Sequence, residues 1–348
     1  GPLIAVTGTN GKTTTTLLIA HLLRTAGLEV GVGGNVGGGL APPASDLAVI
    51  EPPPAWFVLE VSSFQLADID TFAPAIGVLT NLAPDHLDRY PDVEAYYADK
   101  VRLFDNARRD SRWVLGDQTE VDALVGDRPG RRYVFSTRRT EGVHAFVRDG
   151  VLTLNVDGRQ EPLLPRERLP LLGAHNVANA LAAALTARLA GVEPEALAEG
   201  LATARALPHR MEPVGTREGV LWVNDSKATN VAATVSAVAS ADRPVVLLLG
   251  GTDKGEDLSP LAGVLPGPTR AVVCYGAAGE RFAGRLTHVP GVRILEAPDF
   301  AAAVARGAAL AEPGDLLLLS PAASSFDEFA DYEARGRRFS ALARGEAA

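Results

Sequence analysis

The sequence predicts an α/β protein of two domains, each built on a largely parallel sheet. Short, almost wholly aliphatic runs alternate with longer helical stretches along the chain, and such runs are strands buried on both faces. The length of 348 residues is enough for two or three domains with a core each. The alternation breaks at Leu207-Pro208-His209-Arg210-Met211-Glu212-Pro213, whose prolines and polarity mark a boundary. The expected domains are residues 1–207 and 208–348.

Composition narrows the function. Hydrophobic residues make up 47% and charged residues 22%, as in globular chains, and no apolar run approaches the roughly 20 residues of a membrane span. A net charge of -9 without a dense Lys/Arg stripe argues against a nucleic-acid partner. Cys274, the single cysteine, lies inside the apolar run Ala271 to Tyr275. No disulfide framework is possible, which fits a reducing cytoplasm, and Cys274 reads as a small core residue. The chain opens without Met or a signal-peptide pattern, and its first residues already read as a core strand, so a segment upstream is expected to be missing.

The elements follow in order. Leu3-Ile4-Ala5-Val6-Thr7 is a strand that runs into Gly8-Thr9-Asn10-Gly11-Lys12-Thr13-Thr14, and Leu17 to Leu23 is apolar at helical spacing. Strand, glycine loop and helix in this order make a phosphate cradle. The glycines turn backbone N–H groups inward, the helix start adds partial positive charge, Lys12 adds a full one, and the Thr13 hydroxyl can reach a metal ion. The loop is two residues shorter than G-x-x-x-x-G-K-[ST]. Gly27 caps the helix and Leu28 to Val32 is a second strand. Gly33 to Gly39, with one Asn among the glycines, reads either as a flexible loop or as a close backbone approach to a ligand.

Trp56 to Val61 carries Glu60 at its end, and strand ends of this kind face the binding crevice of an α/β sheet, which makes Glu60 a candidate metal ligand. Ala75 to Thr80 opens into a loop holding Asp85, His86, Asp88 and Arg89, where His86 is either a surface residue or a ligand. A helix is expected from Asp92 to Asn106, and its periodicity makes Lys100 a surface lysine. Trp113 to Leu115, a helix over Val121 to Val125, and Tyr133 to Phe135 continue the alternation. Val143 to Val147 and Val151 to Val156, joined through Asp149-Gly150, form a small antiparallel hairpin. Gly173 to Asn179 opens an alanine-rich helix to Leu189 with Asn176 and Asn179 on one face; capping explains one amide, a ligand explains both. Beyond the boundary, Val220 to Asn224, Val245 to Leu249, Ala271 to Tyr275, Val292 to Leu295 and Leu316 to Leu319 are strands of a second parallel sheet. Three of them end in Asp225 to Asn230, Gly250 to Gly255 and Ser320 to Phe329, segments rich in small, hydroxyl and basic residues that suit a small-molecule crevice.

Thr7 to Thr14, Glu60-Val-Ser-Ser63, His86-Leu-Asp-Arg89, His175-Asn-Val-Ala-Asn179, His209-Arg210 and Asn224-Asp-Ser-Lys-Ala-Thr-Asn230 occur in the order of the Mur ligases. Over nearly its whole length the chain resembles this family of ATP-dependent, amide-forming enzymes of peptidoglycan synthesis. Gly33 to Gly37, Ser62 to Leu66, Asn224 to Asn230 and Ser320 to Phe329 look most like the branch that adds D-glutamate to UDP-N-acetylmuramoyl-L-alanine, and the Asp-Asn-Pro-Arg motif of the diamino-acid-adding branch is absent.

The resemblance implies a central P-loop ATPase domain and a C-terminal Rossmann-like domain that binds D-glutamate. It implies that Gly8, Thr9, Asn10, Gly11, Lys12, Thr13 and Thr14 hold ATP together with Asn176, Asn179, Arg210, Asp225 and Lys227. Thr13, Glu60, His86 and Lys100 would serve two Mg2+ ions, Lys100 as a carbamate, and Lys12, His86 and Lys100 would be the catalytic set. Asn35, Ser62 and His86 would touch the muramoyl substrate. Thr229, Lys254, Ser325 and Phe326 would form the D-glutamate pocket, supported by Tyr332, where the family more often has Phe. The resemblance further implies that an N-terminal domain holding the uridine diphosphate is absent from this sequence, and a cytoplasmic monomer is expected. Two alternatives stand beside this reading: a folate-polyglutamating relative, against which the Gly33 to Gly37 and Ser320 to Phe329 segments weigh, and an ATP-binding fragment without catalysis.

Overall fold

A computed structural model describes residues 1–37, 39–85 and 89–346. The chain forms two compact units, Gly1–Pro170 with Ala174–Arg205, and Leu171–Gly173 with Ala206 onward.

In the first unit the aliphatic runs become β1 (Leu3–Thr7), β2 (Val30–Gly34), β3 (Trp56–Glu60), β4 (Ile76–Leu79), β5 (Arg112–Gly116) and β6 (Arg131–Phe135), which pair in parallel. β7 (Ala145–Arg148), β8 (Val151–Val156) and β9 (Arg159–Pro165) extend the same sheet, in the order β2-β3-β1-β4-β5-β6-β7-β8-β9. The expected hairpin is therefore part of a three-stranded antiparallel extension rather than a separate element. Asp157-Gly158 repeats the turn of Asp149-Gly150, with all four residues at positive φ, and this second turn is what adds β9. The helices are α1 (Lys12–Thr25), α2 (Ala44–Leu47), α3 (Ser63–Ala67), α4 (Val93–Val101), α5 (Thr119–Val125), α6 (Ala174–Leu189) and α7 (Pro194–Thr203). The helix expected to reach Asn106 ends earlier: Asp92 caps α4, and a 3-10 turn takes over at Arg102–Phe104. α6 is apolar nearly all round because it is buried, with α1 and α7 packed on it.

From β1 the chain goes to one side of the sheet for β2 and β3 and to the other for β4 and β5. The order reverses at β1, so the crevice of this sheet opens at the carboxyl end of β1, where the glycine loop begins.

The second unit has strands β10 (Glu212–Arg217), β11 (Val220–Asn224), β12 (Val245–Gly250), β13 (Thr269–Tyr275), β14 (Arg293–Glu296) and β15 (Leu316–Leu319), in the order β10-β11-β15-β12-β13-β14. Five are parallel, and β10 adds an antiparallel edge that the sequence pattern does not show. Helices α8 (Val231–Ala239), α9 (Ser259–Val264), α10 (Gly279–Leu286), α11 (Phe300–Leu310) and α12 (Tyr332–Ala343) complete it. Alternate residues of the strands feed two separate cores. Val245, Leu247 and Leu249 of β12 join one, Val246 and Leu248 the other, which is why the run has no polar face. Cys274 is buried in the first of these cores, and burial pushes its thiol up to about 12. Among the described residues no helix is long and apolar enough to cross a membrane.

Candidate active site

The loop after β1 is shaped by what surrounds it. Gly8 has φ 143° and a Cβ there would stand 2.0 Å from Thr80 Oγ1; Gly11 has φ 79° and its Cβ would stand 2.3 Å from Asn179 Oδ1. Any side chain at either position would displace a hydrogen-bonding group. Thr80 Oγ1 donates to Asn10 O (2.6 Å), while the Asn81 side chain accepts from Asn10 N and donates to Asn10 O, both at 3.0 Å. Thr9 Oγ1 donates to Ala83 O at 3.0 Å. Thr80 and Asn81 brace the glycine loop, a role that the sequence pattern does not show. What the sequence does hold is a polar pair at the end of a strand adjoining β1.

α1 starts at Lys12 with no side-chain cap, so the amides of its first turn, including those of Thr13 and Thr14, lack carbonyl partners within the helix. Lys12 Nζ donates to Gly8 O (3.0 Å) and Thr9 O (2.9 Å). Lys100 Nζ donates to the same Gly8 carbonyl at 2.9 Å and lies 4.3 Å from the centre of the Tyr96 ring. Two amines thus converge on one oxygen.

Lys100 is only 1% exposed, which overturns the surface position read from helical periodicity. It shares a face with Tyr96 one turn earlier, and α4 buries that face. Burial, and then the charge of Lys12, lower the Lys100 pKa to about 7, with Asp85 and Asp99 opposing. Losing the proton therefore costs much less there than at a solvated lysine.

Glu60 is buried at the end of β3, in register with Val6 and so next to Thr7. Thr13 is buried too. A carboxylate and a hydroxyl beside a phosphate-type loop are the hard oxygen donors Mg2+ takes. His86 lies outside the described residues. Among those described, no three His, Cys, Asp or Glu gather at one point, so an ion here would complete its shell with other oxygens.

Asn176 and Asn179 are both buried: Asn179 Nδ2 donates to Asn176 Oδ1 (3.1 Å) and Thr15 Oγ1 donates to Asn179 Oδ1 (3.3 Å), so the pair braces the start of α1. Asn35 is exposed, and its backbone N–H donates to Glu60 O (2.9 Å). Ser62 caps α3 in a reciprocal box with Gln65.

In the second unit β11, β15 and β12 are neighbours, so their carboxyl-end loops lie side by side. Arg210 sits in a turn flanked by His209 (φ 62°) and Met211 (φ 44°). Asp225 is buried and accepts from Met211 N (3.1 Å) and Ser320 Oγ (2.8 Å). Lys227 Nζ lies 3.9 Å from the centre of the Tyr332 ring, at the start of α12, and its pKa is lowered by burial and then by Arg210. Lys254 is exposed and donates to Thr229 O (2.7 Å). Ser325 is buried, while the neighbouring Phe326 is 72% exposed. Arg335, which the sequence reading passed over, is wholly buried beneath these loops.

Burial raises the Asp225 pKa to about 7. Between about pH 4 and pH 7 the folded form then holds more protons than the unfolded one, so this group costs stability progressively as pH rises through that window. Asp225→Asn keeps the acceptor for Met211 N and lets the Ser320 hydroxyl turn round. Its melting temperature should match or trail that of the parent at pH 4 and exceed it at pH 8, by a stability of at most about 4 kcal/mol. A difference that does not grow between these pH values would refute the assignment.

Residues 6–187 match the Mur ligase middle domain, and residues 209–323 match the Mur ligase glutamate ligase domain. This chain belongs to the Mur ligase family. The UDP-N-acetylmuramoylalanine–D-glutamate ligase of Salinibacter ruber is 42% identical to it, across 98% of this chain and 75% of that protein. The ligase of the same name from Acidobacterium capsulatum is 41% identical, across 100% of this chain and 76% of its own length. In fold, the MurF ligase of Thermotoga maritima, solved in complex with ADP, superposes with a TM-score of 0.71 over 99% of this chain and 80% of its own, at 17% identity. The glycine loop, Glu60, Lys100 and the two asparagines fall within the matched Mur ligase middle domain, and Arg210, Asp225, Lys227, Thr229 and Lys254 within the matched glutamate ligase domain. Ser325, Phe326, Tyr332 and Arg335 lie beyond the matched residues.

Proposed function

We propose that this Mur ligase joins D-glutamate to UDP-N-acetylmuramoyl-L-alanine at the expense of ATP. The observation that carries the reading is the convergence of Lys12 and Lys100 on the Gly8 carbonyl at the head of an uncapped helix. Lys12 and the uncapped start of α1 supply positive charge there, beside a buried amine, and phosphate groups are the anions such a place takes. The relatives from Salinibacter and Acidobacterium, named for this reaction, support the choice of substrates.

In the proposed reaction a carboxylate oxygen of the muramoyl-alanine attacks the γ-phosphorus and ADP leaves. The D-glutamate nitrogen then attacks the acyl carbon, phosphate leaves, and the nitrogen gives up a proton. Residues Gly8 to Thr14 hold the phosphates, and Lys12 neutralises charge as the phosphoryl group moves. Thr13 and Glu60 would hold Mg2+, with His86 assigned to a second ion; bound Mg2+ would supply further charge neutralisation. Lys100 serves as a carbamate, formed when its neutral amine attacks carbon dioxide, an N–C bond forms and a proton leaves. Its burial and lowered pKa support that chemistry. Asn176 and Asn179 in the first unit, and Arg210, Asp225 and Lys227 in the second, are assigned to the nucleotide. Asn35 and Ser62 are assigned to the muramoyl substrate, and Thr229, Lys254, Ser325, Phe326 and Tyr332 to D-glutamate. On this reading residues 1–207 form the central ATP-binding domain, and 208–348 form the domain that binds D-glutamate and contributes residues to the nucleotide.

The test is phosphate release in an acid-quench assay, which should require both D-glutamate and UDP-N-acetylmuramoyl-L-alanine; release indifferent to either would overturn the reading. Lys254→Ala should raise KM for D-glutamate about tenfold or more, since a cation facing a carboxylate is lost, and leave KM for ATP within about twofold. Equal changes in both would remove Lys254 from the pocket.

A further inference from the structure

Arg335 lies in the first turn of α12 with none of its surface exposed. Its guanidinium donates to Ser226 Oγ (3.0 Å), Ser226 O (3.0 Å), Gly250 O (3.4 Å), Ala323 O (3.1 Å) and Ser324 O (3.2 Å). Ser226 follows β11, Gly250 ends β12, and Ala323 and Ser324 follow β15. One side chain thus fastens the carboxyl-end loops of three adjacent strands. The loops are drawn close: Thr252 pairs with Ser324 in an isolated bridge, and a Cβ at Gly251 would stand 2.1 Å from Ser324 O and 3.0 Å from Arg335 Nη1. Ser226 Oγ also donates to Tyr332 O (2.8 Å), which returns the link to the start of α12.

The acceptors of Arg335 are carbonyl and hydroxyl oxygens, and among the described residues it forms no ion pair with a carboxylate. Burying a guanidinium with no carboxylate bonded to it is costly, and an apolar side chain of similar volume would avoid that cost. What an apolar side chain lacks is a rigid five-donor fork able to hold several carbonyls at set distances, together with a positive potential beneath the loops.

We propose that Arg335 is a positioning residue for the amino-acid pocket, a buried clasp that sets the spacing of the loops carrying Thr229, Lys254 and Ser325 and favours an acidic amino acid there. The inference rests on the D-glutamate reading above, but its structural half stands apart from it. Thr229 comes three residues after Ser226, Lys254 four after Gly250, and Ser325 directly after Ser324. Thr229, Lys254 and Ser325 therefore each hang from a point that Arg335 holds.

Native-state amide exchange on the unaltered protein is the first test. Amides of residues 225–230, 250–255 and 322–326 should open together, with one common protection factor; three unrelated protection factors would overturn the clasp. In Arg335→Lys, which keeps the charge and loses the fork, exchange at these three segments should rise together by about tenfold, and KM for D-glutamate should rise by a similar factor. Added guanidinium should reverse both effects in Arg335→Ala. A fall in kcat with KM for D-glutamate unmoved, or faster exchange confined to α12, would overturn the positioning role. If the unaltered protein releases no phosphate in response to D-glutamate while the three segments still open as one, the D-glutamate reading falls and the clasp stands.

Discussion

Lys12→Ala should abolish measurable binding of ADP and of non-hydrolysable ATP analogues, a loss of about 100-fold or more when one desolvated cation is taken from a phosphate site. The ammonium is already held in place: its bonds to Gly8 O and Thr9 O keep it over the loop, so little ordering entropy remains to oppose binding. Losing those two bonds should lower stability by about 1–2 kcal/mol, too little to unfold the domain. A second consequence follows from the shared carbonyl. The charge of Lys12 is the second cause of the low Lys100 pKa, so its removal should move Lys100 back toward the usual lysine range. Calorimetry with unchanged nucleotide affinity would refute the role of Lys12.

Lys100→Ala should remove most of the ligase activity, on the order of 100-fold, because an anionic oxygen pair would be missing from beside the phosphates. Acetate or formate should restore part of it by supplying oxygens, whereas they should not rescue Lys12→Ala. The bare amine also makes a stability prediction for the metal-free protein. Its folded pKa of about 7 lies below the ordinary lysine value of 10.5. Between those values the unfolded chain binds more protons, so stability rises with pH across the window, and the full cost is felt below about pH 7. Lys100→Met keeps the bulk and removes the charge. It should be more stable than the parent at pH 6, by at most roughly 5 kcal/mol before the lost bond to Gly8 O is subtracted, and should lose that advantage by pH 10. A bare amine in crystals grown with bicarbonate and magnesium, together with no rescue by acids, would retire the carbamate. A flat stability difference would retire the buried cation.

The parts of this protein that were legible without coordinates are those encoded within a few residues. β1, the glycine loop and α1 can be read because an aliphatic run, two glycines, Gly-Lys-Thr and a helical period follow each other directly. The central parallel strands, such as β12, can be read because burial on both faces leaves no polar position within the run. The Asp149-Gly150 turn is legible because left-handed backbone at two successive residues selects that dipeptide.

Tertiary structure decided the rest. Lys100 looked like a surface lysine because a helical period records which residues share a face, and not what that face meets; its partner Gly8 is 92 residues away. Thr80 is 70 residues from Asn10, and Arg335 is 109 from Ser226, separations across which no local pattern runs. β10 carries Pro213 and a bulge and takes its place only through pairing with β11, so its sequence lacks the alternation of a strand. Strand and helix come from propensity and period, which are local. Which polar side chain ends beneath which loop depends on the order in which strands pair, and that order is set by how two faces of a sheet are covered at once.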